Sequence, residues 1–157
     1  AAIRAQDAKA LRVALASLDK DAEVGEFFFD SVSAGLPCVQ EFLRFRPALL
    51  HRVDAREYTA LHMAVIKNQE DVVTALIDAG ASIDARTVGG STPLHKATEL
   101  CNSKIAISLL NAGASPDAQD EAGKTPFDLT WNQNLKRELQ LRMGCRAGLL
   151  ISPAADG

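Results

Sequence analysis

His62 and His95 are the side chains best suited to acid–base or metal chemistry in this sequence, because imidazole titrates near neutrality and is a common metal ligand. They stand 33 residues apart in similar surroundings, and no second histidine or thiol accompanies either at metal-ligand spacing. That pattern reads as one structural role repeated. His51 lies outside it and is expected on a surface loop. Gly123-Lys124-Thr125 ends like a phosphate-binding loop, but the full pattern needs a glycine at 118, where there is Ala118, and a strand before it. Cys38, Cys101 and Cys145 are widely spaced and contain no C-x-x-C pair, which points to reduced thiols rather than a disulfide framework or a zinc site. No Ser–His–Asp, Cys–His or paired-carboxylate spacing emerges. The reading is of a chain that is not an enzyme and takes no cofactor or metal.

The elements that carry these residues repeat. Thr59-Ala60-Leu61-His62 recurs as Thr92-Pro93-Leu94-His95 and again as Thr125-Pro126-Phe127-Asp128. In the same phase Ala79-Gly80-Ala81-Ser82 falls on Ala112-Gly113-Ala114-Ser115, and Asp84-Ala85 on Asp117-Ala118. Residues 55–87 and 88–120 share 11 identities over 33 positions without a gap. Each threonine can cap a helix, and Pro93 and Pro126 fit its first position, where a missing N–H costs nothing. A first helix is expected to about Lys67. Gly35 and Asn68 suit the following turn because both tolerate a left-handed backbone, whereas Cys101 at that point predicts a strained or shifted turn. Val72, Val73, Leu76 and Ile77, then Ile105, Leu109 and Leu110, form the apolar stripe of a second helix that Gly80 and Gly113 end. Turn-rich residues 84–91 and 117–124 read as hairpin-like fingers, with Gly90 and Gly123 at positive φ. Glu57 takes the glycine position one unit earlier, which predicts a less regular finger there.

The 33-residue period and the Thr-Pro-Leu-His signature resemble the ankyrin repeat family. The resemblance implies an all-α ankyrin repeat solenoid of about four stacked helix-turn-helix units. Repeats are expected at about 22–54, 55–87, 88–120 and 121–145, together making a domain over 22–145. In the degenerate first repeat, Phe28 falls under Leu61, Ser31 under Ala64 and Leu43 under Leu76. No unit can bury its stripe alone, so stacking makes the core and the ends must differ. Residues 1–21 are expected to form an N-terminal capping helix, since Ala8, Leu11, Ala14, Leu15 and Leu18 keep helical spacing among charges. Polar residues from Asn134 to Met143 suit a terminal repeat, Trp131 stands where earlier copies have smaller residues, and 146–157 reads as a flexible tail.

The resemblance also implies that His62 and His95 support their turns by hydrogen bonding, and that function lies on a concave face binding a protein or peptide. Carried position by position, the partner-binding residues are Arg56, Glu57, Tyr58, Met63, Ile66, Lys67 and Arg86 in one unit. The next supplies Val88, Gly89, Ser91, Lys96, Glu99, Leu100 and Gln119, and the last Glu121, Ala122, Lys124, Leu129, Asn132 and Gln133. Tyr58, Met63, Ile66 and Leu100 are the anchor candidates, because interface centres favour aromatic residues and methionine. The function expected is a non-catalytic protein–protein interaction module, an adaptor or targeting domain, or alternatively a regulatory subunit or inhibitor of a partner enzyme.

Composition is consistent with that and narrows it. The 157 residues are 47% hydrophobic and 24% charged, with 20 acids against 17 bases and a net charge of −3. A sequence pI of 5.6 is far from the value above roughly 9 expected of a nucleic-acid-binding domain, so no nucleic acid partner is expected. No apolar run reaches the roughly 18 residues of a membrane span, and Ala1-Ala2-Ile3-Arg4 does not open a secretion signal. The chain is expected to be intracellular, cytoplasmic or nuclear, to contact no membrane and to be monomeric alone. Its mildly acidic middle favours a basic or mixed peptide over an acidic one.

Overall fold

The computed structural model describes residues 28–32 and 35–146. The expected capping helix over 1–21 and the tail beyond Arg146 lie outside them. Short helices alternate with longer ones in four pairs, the last three short ones capped by threonine: helical residues 28–32 with α1 (Leu36–Phe45), α2 (Ala60–Ile66) with α3 (Glu70–Asp78), α4 (Pro93–Glu99) with α5 (Ser103–Asn111), and α6 (Pro126–Leu129) with α7 (Gln133–Arg146). A 3-10 helix, Pro47–His51, follows α1 and carries the exposed His51. α2, α4 and α6 pack against one another as an inner row, more closely than α1, α3, α5 and α7 do in the outer row. The architecture is the helical solenoid expected from the period.

Helices of seven residues do not persist alone in water, so their stability comes from the faces they bury. Leu61 and Leu94 occupy equivalent sites in adjacent inner helices and are buried, as are Ala64 and Ala97, whose small side chains let the rows approach. Leu76 and Leu109 hold the matching sites of the outer helices, both fully buried. In the first described unit the match is looser. Phe42 stands where α3 has Ala75, and its ring meets Phe28 edge-on with centroids 5.6 Å apart. The aromatic pair fills the seam there, and Leu43, in phase with Leu76, is left only half-buried. At the other end Leu135 and Leu139 of α7 are buried, whereas Leu141 and Trp131 are exposed.

Of the two expectations about turns, one is met in part and one is corrected. Cys101 strains its turn without shifting it: it takes φ 59°, in register with Asn68 at 54° and Gly35 at 104°. Glu57 likewise adopts φ 60° and keeps its finger regular. Its N–H donates to Asp54 O at 3.0 Å while Asp54 N–H donates to Tyr58 O at 3.0 Å, the same pair of bonds that closes the fingers at Gly90 and Gly123. Interactions on both sides of the turn impose the left-handed conformation on residues that do not favour it.

Leu76→Ala and Leu109→Ala should each destabilise the fold by about 2–5 kcal/mol, because each leaves a cavity in the shared core; urea denaturation followed by circular dichroism measures this, and an unchanged midpoint would contradict the packing. Glu57→Gly should instead stabilise by up to about 1 kcal/mol, as relief of the left-handed strain outweighs the added freedom of the unfolded chain. A lower denaturation midpoint in that variant would show that the Glu57 side chain contributes more than its backbone costs.

Candidate functional site

The first turn of each inner helix is built by one threonine. Thr59 Oγ1 accepts from His62 N–H, and the His62 ring turns back so that Nδ1 lies 3.2 Å from Thr59 N and 2.9 Å from its hydroxyl. The threonine–histidine capping box thus closes on itself. The other ring nitrogen reaches the next unit, Nε2 lying 3.2 Å from the carbonyl of Ser91. A carbonyl only accepts, so Nε2 carries the proton and Nδ1 accepts from Thr59. His95 repeats this with Thr92 and, at 3.1 Å, with the carbonyl of Lys124. Both nitrogens of each buried ring are therefore committed to holding one helix start against the following finger. Asp128 takes the third position and reproduces the local half: its Oδ2 accepts from Thr125 N and Oγ1 at 2.8 and 2.7 Å. Those bonds, the backbone one first, hold the Asp128 carboxyl below its usual range.

The fingers are tied into a ribbon. Val88 N–H donates to Arg56 O at 3.2 Å, and 33 residues on Glu121 N–H donates to Gly89 O at 3.1 Å. Asp54 Oδ1 accepts from Arg56 N and Tyr58 N, Thr87 Oγ1 accepts from Ser91 N, and Asp120 Oδ1 accepts from Ala122 N and Lys124 N. Gly90 sits where the ribbon is tightest: at φ 71°, a Cβ there would stand 3.0 Å from Glu121 N and from the Arg86 guanidinium. The Arg86 guanidinium itself donates to the carbonyl of Gln119.

Between the fingers and the inner helices lies a groove of about 460 Å³ lined by Arg56, Tyr58, Thr87, Val88, Gly89, Ser91, Lys96, Glu99, Asp120, Ala122, Lys124 and Leu129. Tyr58 leans its ring edge-on against His62, centroids 5.5 Å apart, so this partly exposed aromatic is held by the capping box. Lys96 and Glu99 pair across one turn of α4 at 2.8 Å. Partial burial pulls the Lys96 pKa down, but the hydrogen bond and charge of Glu99, with help from Tyr58, outweigh it and leave the ammonium more firmly protonated than usual. Among the described residues no group of three or more His, Cys, Asp or Glu side chains is placed to hold a metal ion.

A family model described as Ankyrin repeats (3 copies) matches residues 28–120. The chain belongs to the ankyrin repeat family. Among curated proteins it is similar to NF-kappa-B inhibitor alpha of Sus scrofa, 42% identical over 52 residues that make up 33% of this chain and 17% of that protein. It is also similar to NF-kappa-B inhibitor zeta of Homo sapiens, 32% identical over 85 residues, 52% of this chain and 12% of that protein. The chain thus spans less than a fifth of the length of these relatives.

Of the positions expected from the ankyrin resemblance, Arg56, Tyr58, Val88, Ser91, Lys96, Glu99 and Lys124, with Gly89, Ala122 and Leu129, come together in the groove. Glu57, Glu121 and Gln119 sit exposed on the fingers outside it, with Arg86 engaged as described. Ile66, Lys67 and Leu100 are exposed at the far end of the inner helices, and Met63 packs half-buried against the core. Asn132 is drawn inward, its amide donating to Ser103 Oγ and its Oδ1 accepting from Asn134 and Leu135 N–H, and Gln133 is exposed at the start of α7. Sequence reasoning missed Thr87 and Asp120, which shape the groove wall, and Asp54, which closes the first finger. Their signal was available: positions 54, 87 and 120 keep the 33-residue phase, and all three carry a short oxygen-bearing side chain suited to an Asx-type turn.

The capping histidines make a pH prediction. Burial is the main cause that lowers both pKa values, opposed by the bonds to the carbonyls of Ser91 and Lys124, and His62 falls from 6.5 to about 4. As pH drops, the unfolded chain takes up these protons first, so the contribution is complete above about pH 6.5 and is lost progressively toward about pH 4. The loss for His62 should be on the order of 3 kcal/mol. Urea midpoints measured across that window should fall with pH, and less steeply in a His62→Asn/His95→Asn variant that is weaker at neutral pH; parallel profiles would remove the histidines from the explanation.

Proposed function

We propose that this chain is a non-catalytic protein-interaction module that seats a polypeptide in the groove between its fingers and inner helices. The observation that carries the reading is the character of that groove. Partly exposed Tyr58 and Leu129 and exposed Val88 lie among charged side chains on a wall fixed by backbone bonds and by the Thr–His boxes. A wall that does not rearrange on binding loses little conformational entropy, and apolar spots rimmed by charges suit an interface. The two best candidate catalytic groups, His62 and His95, are spent on structure.

The second reading is that the chain regulates or inhibits a partner. The names of the relatives, NF-kappa-B inhibitors alpha and zeta, support it. An adaptor and an inhibitor would use the same wall and differ in what the bound partner can then do. The proposed setting is the cell interior, cytoplasm or nucleus, with the chain monomeric when alone. No helix among the described residues is long and apolar enough to cross a membrane, and no disulfide joins Cys38 to Cys101.

A photo-crosslinking amino acid at Val88, in the groove, should capture protein partners from cell extract, whereas the same group at Ile107, exposed on the outer helix α5, should not. Equal capture from both positions would displace the groove as the binding face. Activity of any captured enzyme, measured with and without this chain, then separates inhibition from passive tethering.

A further inference from the structure

We infer that the groove selects an acidic peptide segment, one that places carboxylates beside an apolar or aromatic residue. This rests on the groove being a polypeptide site and names its ligand. The chain as a whole is acidic, at −3, yet the groove is not. Its lining holds Arg56, Lys96 and Lys124 against Glu99 and Asp120. Both carboxylates are already engaged: Glu99 pairs with Lys96, and Asp120 accepts the two N–H groups that close its finger. Arg56 and Lys124 are exposed, and neither forms an ion pair among the described residues. They stand on the first and third fingers, two positions apart in the repeat, each donating its backbone N–H to the aspartate that braces its finger, and they line the groove together with the exposed Val88 and the half-buried Leu129.

Acids elsewhere in the middle of the chain explain the mismatch between overall and local charge. Glu70 and Asp71 open the outer helix α3, and Asp84 accepts from Ser115 N and Oγ. These sites do not line the groove. A basic peptide would therefore meet two unpaired cations and no uncommitted carboxylate among the lining residues. A polyphosphate strand would meet only two such cations, with Glu57 and Glu121 exposed on the neighbouring finger positions. The attraction is between exposed charges, so it should be modest per pair and weakened by salt.

The test selects random peptides displayed on phage against the full chain, then measures synthetic copies by fluorescence anisotropy. The expected winners carry Asp or Glu on both sides of Leu, Phe or Trp, bind more weakly as salt rises, and lose about tenfold or more in affinity for an Arg56→Glu/Lys124→Glu variant. That variant should melt with the wild type, since both backbone roles are kept. A selection that returns no acidic peptide, binding unmoved by the charge reversal, or displacement of the peptide by a short oligonucleotide that binds more tightly overturns the inference. A Tyr58→Ala/Leu129→Ala variant tells the two failures apart. If it alone weakens the selected peptides, the groove stands as a polypeptide site and only the acidic preference is lost; if neither variant matters, both readings fall.

Discussion

A helix of seven residues cannot stand by itself, and everything in this molecule follows from that constraint. Each helix pair offers one apolar face to the unit before it and one to the unit after it, so Leu61, Leu94, Leu76 and Leu109 are buried only because neighbours are present. The polar side of the same dependence is the histidine that completes its own turn with one nitrogen and fastens the next finger with the other. Apolar contact holds the helices together without fixing their direction; the directional bonds set where each finger points, and hence the shape of the groove.

The reach of the sequence can be judged residue by residue. Threonine caps, the proline after them and the glycines ending the outer helices are local devices with a single geometric meaning, so the helix pairs were legible before any coordinates. Propensity speaks only for the residue itself: it pointed to an irregular finger at Glu57, which is not found, and to a strained or shifted turn at Cys101, of which the strain is found and the shift is not. Their neighbours on both sides were fixed by bonds that the period supplied, and those bonds carried a glutamate and a cysteine into a conformation they would not choose. In the first described unit the phase pointed to Leu43 as the core residue, but Phe42 beside it was large enough to fill the seam with Phe28. Periodicity gives the direction of a side chain and not the volume it must fill.

The groove was legible in part. The ankyrin resemblance, carried position by position, named Arg56, Tyr58, Val88, Lys96 and Lys124, which line the groove together. It did not reveal which charged groups were already engaged. Arg86, expected as a contact residue, also bonds from one finger to the next, and Asp120, which the sequence reading missed, braces its finger and lines the wall. Charge summed along a stretch of chain does not distinguish acids that accept backbone N–H groups, such as Asp54, Asp84 and Asp120, from those left to face a ligand.

The bonds that join one unit to the next span fixed chain distances: 29 residues from each bridging histidine to its carbonyl, 31 from Asp84 to Ser115, 37 from Val65 to Asn102. The histidine bridge recurs one period on. Duplicating or deleting a whole unit within the row keeps the imidazole-to-carbonyl bridge in register, whereas gaining or losing a single codon inside a unit would break that register. Such a protein can change the length of the surface it offers by steps and not by degrees, and the unit following a bridging imidazole must always bring a finger for it to hold.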